Sequence, residues 1–168
     1  LARRIRGTGR AVQVDHEPTD GPVGSLIADA LQHRVSLEAG TLAYLYAGDR
    51  YQHLHGPDGI LESLAHGKIV IADRWYFSSL AYQGVTAGEE LAARLNAVFP
   101  APELLVFVDT PVEESQRRLS VRGKAELFDP QDLQAAVRDR YRTLISEAVH
   151  PATTIIRDPG SGSTEEVA

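Results

Sequence analysis

Four short apolar runs punctuate the chain: Ala11 to Val14, Ile69 to Ala72, Leu104 to Val108 and Thr153 to Ile156. Each is continuous rather than alternating and rich in β-branched residues. This predicts strands covered on both faces, because a half-exposed strand would alternate apolar and polar positions. Between the runs, apolar residues recur every three or four positions over 22–32, 36–55, 57–66 and 89–98, the spacing of helices with one buried face. Thr110-Pro111-Val112-Glu113 predicts a helix opened by a capping box with proline at its first position. Asp129-Pro130 repeats the signal ahead of a helix running to about Val149. Strands separated by helices predict an α/β doubly wound fold, a parallel sheet with helices on both faces joined by right-handed crossovers. The 168 residues suffice for a single domain with a proper core and fall short of two.

The two ends carry a different message. LARRIR places apolar residues at 1, 2 and 5 before Gly7 and Gly9, a helix with a stop but no capping residue ahead of it, and the chain contains no methionine. Ser163-Thr164-Glu165-Glu166 reads as a helix start two residues before the end. Both ends are therefore expected to be cuts in a longer protein.

Composition narrows the class. No apolar run approaches the ~18 residues of a membrane span, and the N-terminal residues lack the core of a signal peptide, so a soluble, cytoplasmic protein without membrane partners is expected. The absence of cysteine excludes disulfides and thiol chemistry. With 17 basic and 23 acidic residues the formal charge of −6 argues against a sequence-independent grip on nucleic acid. Any phosphate must then be met by a local basic cluster.

Such clusters lie where an open parallel sheet binds ligands, beyond the carboxyl ends of its strands. The first strand exits into Asp15-His16-Glu17-Pro18, the second into Asp73-Arg74, the third into Asp109-Thr110-Pro111. Arg74 offers a planar fork suited to phosphate, and Asp73 could hold Arg74 or the waters of a magnesium ion; a strand-end ion pair is the competing account. After them Ser78, Ser79, Tyr82 and Gln83 bring hydroxyl and amide groups to i, i+3 and i+4 spacing, either aimed at one ligand or serving as an ordinary cap. Tyr46 and Arg50, four apart, place a ring and a guanidinium on one helix face, where a flat base could stack and accept a hydrogen bond; packing with a surface charge would give the same pattern. Arg117, Arg118, Arg122 and Lys124 form a basic segment that fits a mobile lid over phosphate and equally a solvated helix end. His53 and His55, two apart, cannot share a helix face, so no histidine metal centre is expected.

Taken together, HEPTDGPVG, LYAGDR and DRWYFSSLAYQG resemble the bacterial thymidylate kinase family, and the resemblance continues through APELLVFVDTPVEESQRRL, so that it covers nearly all of the chain. The resemblance implies a P-loop kinase fold and transfer of the γ-phosphoryl of ATP to dTMP with Mg2+, in a homodimer. It implies that Arg74 holds the dTMP phosphate, with Asp73 organising it and the metal waters. Tyr46 would stack on thymine, Arg50 reach its exocyclic oxygen, Ser79 meet the base edge, and Tyr82 fill the place of a ribose 2′-hydroxyl. Ser78, Gln83, His16 and Glu17 join the same substrate site, and Arg118 and Arg122 belong to a lid at about 117–129 that closes over the phosphates.

Three features depart from the family pattern. The glycine-rich G-x-x-x-x-G-K-[ST] loop and its strand are not in this sequence. The Arg-Glu-Pro-Gly-Gly motif stands as His16-Glu17-Pro18-Thr19-Asp20, and the lid reads Lys124-Ala125-Glu126-Leu127-Phe128 where many bacterial members have an arginine. A second reading thus stands beside the kinase: a catalytically inactive relative that binds a nucleotide or a partner.

Overall fold

A computed structural model describes residues 1–122, 126–147 and 153–160. The expected helix start at Ser163 and the predicted end of the last long helix, 148–149, lie outside the described residues. In chain order the elements are α1 (Ala2–Arg6), β1 (Val12–His16), α2 (Pro22–Leu31), α3 (Ala39–His55), α4 (Ile60–Ala65), β2 (Ile69–Asp73), α5 (Tyr76–Ala87), α6 (Glu89–Asn96), β3 (Leu104–Val108), α7 (Val112–Arg122), α8 (Gln131–Glu147) and β4 (Thr154–Asp158). The fold is α/β with parallel strands alternating with helices, as the sequence predicts, and every expected strand forms to within two residues at either end.

Among the described residues the strands join as two parallel pairs. Val12 to His16 run beside Ile69 to Asp73, and Leu104 to Val108 beside Thr154 to Asp158. The expectation of cover on both faces fails: Leu104, Val106 and Val108 of β3, Ile156 of β4 and Val14 of β1 are exposed, because no described helix lies over those faces. β1 departs further, since Gln13 and Asp15, with Glu17 just beyond the strand, make its inward row polar at two-residue spacing.

Helix starts differ from the periodicity by a few residues. Apolar spacing does not distinguish a helix from an extended approach to it, so α3 begins at Ala39 rather than at 36 and α4 at Ile60 rather than at 57. The expected capping box before α7 is not made. Thr110 N–H turns back to the Val108 carbonyl, and neither the Thr110 nor the Glu113 side chain bonds to the helix N-terminus.

Three clusters form the core. Ile27, Ala30 and Leu42 join α2 to α3 and receive Tyr46, Leu127 and Phe128. Leu54, Ile60 and Phe99 receive Val70 and Trp75. Ala81, Val137 and Leu144 join α5 to α8 and receive Tyr82 and Tyr141. Helix α5 sits between α3, α6 and α8, and its small residues Ser79, Ala81 and Gly84 let those neighbours approach closely. The chain turns from α5 into α6 at Gly88, whose φ of +102° suits only glycine.

Candidate active site

A cavity of about 440 Å³ opens between α3, α5, the loop after β1 and the segment that joins α7 to α8. Its walls bring together Glu17, Tyr46, Arg50, Arg74, Ser78, Ser79, Tyr82, Gln83 and Arg118, which stand up to 101 positions apart in sequence. That volume lies within the range of small-molecule sites. Phe128 closes the wall over Tyr82, with ring centroids 5.1 Å apart.

The site is built from strand ends and helix faces. At the carboxyl end of β2 the chain turns sharply at Arg74, whose φ of +74° is uncommon for a residue with a side chain; such conformations persist where surrounding structure requires them. This turn carries the Arg74 guanidinium over the Tyr82 ring at 5.3 Å and leads straight into α5. No ion pair joins Arg74 to Asp73, contrary to one of the two roles considered for that aspartate. Asp73 stands exposed, outside the cavity lining, and its carboxylate has no hydrogen-bond or ion-pair partner among the described residues. A lone, exposed carboxylate fits a magnesium ion, which keeps most of its waters and takes its other ligands from substrate phosphates. No cluster of three metal-ligating side chains occurs among the described residues.

Arg50 behaves unlike a surface charge. It is 1 % exposed and its donors are largely spent inside the protein: Nε on Glu17 Oε2 at 2.8 Å, Nη1 on Asn96 Oδ1 at 2.6 Å, and Nη2 on Ser79 Oγ at 3.1 Å while also 2.6 Å from Glu17 Oε2. Trp75 and Phe99 pack against the guanidinium at 5.5 and 5.3 Å. Of its five N–H groups one on Nη1 has no partner among the described residues. Ser79 accepts from Arg50, so its own hydroxyl proton is available to donate; Ser78 likewise accepts from Tyr141 at 2.6 Å. Gln83, 2 % exposed, lines the cavity with a side-chain amide that has no partner among the described residues. Its amide faces the cavity with donor and acceptor unspent, so a ligand there could bond to it.

The electrostatics follow from burial. Removal from water pushes the Tyr46 phenol well above its ordinary range, and pushes Tyr141 up to about 12, so both stay neutral donors at physiological pH. His53 is raised, first by its hydrogen bond to Glu17, against burial, with a further contribution from Asp15.

Some residues singled out from the sequence lie elsewhere. His16 is exposed, with Nδ1 2.8 Å from the Pro18 carbonyl and Nε2 3.5 Å from Asp20, and does not line the cavity. Arg118 lines it, half-exposed, donating to Glu114 at 2.6 Å and to the Gly160 carbonyl at 3.2 Å. Arg117 points away onto the same Glu114, whose carboxyl is lowered to about 2 by hydrogen bonds from Arg117 and Arg118. The side chain of Arg122 and residues 123–125, including Lys124, lie outside the described residues.

Sequence reasoning missed Asp49, which accepts from the Thr19 N–H at 2.8 Å and hydroxyl at 2.6 Å and so fixes the loop that carries Glu17. Asn96 was also missed, and Asp15 and Phe128 were named only as parts of the first strand's exit and of the lid, without a role. Only Asp49 gave a local signal, as the charged neighbour of Arg50 in a helix of otherwise weak polarity; the others meet the site through tertiary contacts.

The sequence model described as "Thymidylate kinase" matches residues 1–162. The chain is 42% identical over 143 residues to a protein of Treponema pallidum named "Putative thymidylate kinase", covering 83% of this chain and 69% of the relative. A protein of the same name in Aeropyrum pernix is 33% identical over 161 residues, 95% of this chain and 76% of its own length. A "Probable thymidylate kinase" of Pyrococcus horikoshii is 36% identical over 152 residues, with 86% and 73% covered.

Proposed function

We propose that this chain, because it belongs to the thymidylate kinase family, transfers the γ-phosphoryl group of ATP to dTMP, giving dTDP for dTTP synthesis. The observation that supports the reading is one cavity lined by an aromatic ring, a cation and polar groups of the kinds a deoxynucleotide needs. Tyr46 supplies the stacking ring. Ser79, Gln83 and the remaining Nη1 donor of Arg50 face the base edge, with Ser78 beside them. Tyr82 takes the place of a 2′-hydroxyl, and Arg74, held over Tyr82 at 5.3 Å, receives the phosphate.

In the transfer, an oxygen of the acceptor phosphate bonds to the γ-phosphorus as the bond from that phosphorus to the β-phosphate oxygen breaks. Protein contributes alignment and positive charge rather than covalent chemistry. Arg74 orients the acceptor. Arg118, on the last turns of α7, neutralises charge that spreads over the transferred group, with Arg122 as its companion on the lid segment. Asp73 would hold waters of a Mg2+ ion, which when bound neutralises the phosphates. His16, directed to Pro18 and Asp20, takes no part in the contacts proposed for the pocket.

A homodimer is the proposed assembly. Thr41, Tyr44, Gly48, Tyr51 and His55 form an exposed stripe on α3 opposite the cavity face, with Tyr44 and Tyr51 each more than half exposed, a surface suited to a second copy. Among the described residues no helix is long and apolar enough to cross a membrane, and a cytoplasmic location is proposed.

Among the described residues no geometric feature favours the alternative of an inactive nucleotide-binding relative. Calorimetry tests the acceptor site that both readings share: selective binding of dTMP over dCMP, UMP and AMP supports it, and equal or absent binding overturns it. A coupled assay of dTDP formation by the full-length protein then tests catalysis.

A further inference from the structure

Behind the pocket the polar residues of β1 form a connected row. Lys68 Nζ lies 3.4 Å from Ser63 Oγ, which donates to Gln13 Oε1; Gln13 Nε2 donates to Asp15 Oδ2 at 2.8 Å. From Asp15 the row crosses to α3, where His53 Nε2 is 3.2 Å from Asp15 Oδ2 and His53 Nδ1 is 3.2 Å from Glu17 Oε1. Glu17 then takes Arg50, and Arg50 takes Ser79 and Asn96. Both ring nitrogens of His53 thus face carboxylates, which only accept, an arrangement that favours the doubly protonated ring. The ring is nearly buried, and Trp75 stands edge-on to it with centroids 6.3 Å apart.

We propose that His53 is a positioning residue for the base-recognition half of the pocket: as an imidazolium clamped between Asp15 and Glu17, it fixes the Glu17 carboxylate that orients Arg50 and, through Arg50, Ser79. The inference rests on the reading of the cavity as the dTMP site. Glu17 divides its two oxygens, Oε1 to His53 and Oε2 to Arg50. A carboxylate held at one oxygen alone can rotate, and the guanidinium plane rotates with it. Asp15, Glu17, His53 and Arg50 carry two negative and two positive charges, so the buried group is balanced only while His53 is protonated. His53 itself lines no part of the cavity, which sets its effect apart from that of a contact residue.

The test compares His53→Ala and His53→Gln with wild type in the full-length enzyme, measuring KM for dTMP, KM for ATP, kcat, and dTMP affinity against dCMP. The clamp predicts a rise of tenfold or more in dTMP KM for His53→Ala, partial rescue by His53→Gln, which can still donate to Glu17, reduced preference for dTMP over dCMP, and ATP KM and kcat within threefold. Unchanged dTMP KM and selectivity with a lowered melting temperature overturns the proposal, as does a fall in kcat alone. Should the variants fail to fold, the wild-type pH profile reads the same device: above about pH 7, where a phosphate with a second pKa of about 6 is already mostly dianionic, dTMP KM rises as His53 loses its proton while ATP KM does not. The groups facing His53 are Asp15 of β1, Glu17 just after it and, immediately before α5, the uncharged Trp75. A flat profile overturns the clamp. A wild-type enzyme indifferent to the base overturns the cavity reading and the clamp with it; one that selects dTMP while the variants behave like wild type overturns the clamp alone.

Discussion

Arg50 and Glu17 illustrate what a buried ion pair asks of a protein. Glu17 is 4 % exposed and Arg50 1 %, and each is tolerable only because the other is there. Breaking such a pair by removing one partner leaves an uncompensated charge, at a cost of about 3–5 kcal/mol. Glu17→Gln is therefore expected to lower unfolding free energy by roughly 3 kcal/mol in urea titration and to raise dTMP KM. A loss below about 0.5 kcal/mol, the level of an exposed pair, would refute the geometry. His53 adds a pH-dependent share of stability. Its folded pKa lies above the unfolded value of about 6.5, so the contribution is fully present below that value and is lost as pH rises through the folded pKa. The stability difference between wild type and His53→Gln should accordingly be largest in mild acid and shrink with rising pH, as denaturation measured across the range would show.

Elements hold these residues where single contacts could not. The loop after β1 is tied to α3 by Thr19 on Asp49, and it passes so close to α2 that a Cβ at Gly24 would overlap the Thr19 backbone. Gly24→Ala must push the loop off α3, so a destabilisation of about 1–3 kcal/mol or more together with weaker dTMP binding is expected from thermal melting and calorimetry. On the other side, Leu127 N–H bonds to the Leu31 carbonyl and Phe128 packs on Tyr82, joining the lid segment to α2 and α5. Helix α8 is secured at β3 by Asp109. Burial alone would raise its carboxyl, but hydrogen bonds from Arg142 at 2.9 Å and Arg138 at 2.6 Å outweigh that and hold it below the ordinary range. Its contribution is present above the unfolded value of about 3.9 and lost as pH falls through the folded pKa. Asp109→Asn should thus cost stability at neutral pH and progressively less in acid, read by the same denaturation series.

For the whole molecule, the exposed stripe of α3 is the place to test assembly. Replacing Tyr44 and Tyr51 together by glutamate should convert a dimer to monomer in sedimentation while leaving the oppositely directed cavity face intact; an unchanged sedimentation coefficient would remove this surface from consideration. The open faces of β3 and β4 show where local pattern and global arrangement part. Leu104, Val106 and Val108 read as a fully covered strand because apolar content reports what a strand can bury, whereas their exposure depends on which elements lie over them.

The chain's own order of residues determined the parallel strands, the helices between them and the polar exits after the first three strands. These depend on periodicity and on residues a few positions apart, which one chain segment carries by itself. It also marked Tyr46, Arg50, Arg74, Ser79 and Tyr82, since each stands beside a strand end or on one helix face with a recognisable neighbour. Tertiary structure decided what those residues can do. Arg50 is spent on Glu17, Asn96 and Ser79, Arg74 lies over Tyr82 rather than on Asp73, His16 turns outward, and His53 lies between two carboxylates. The physical reason is that a side chain's free donors and its charge state depend on partners as far as 63 positions away, and separation along the chain says nothing of separation in space.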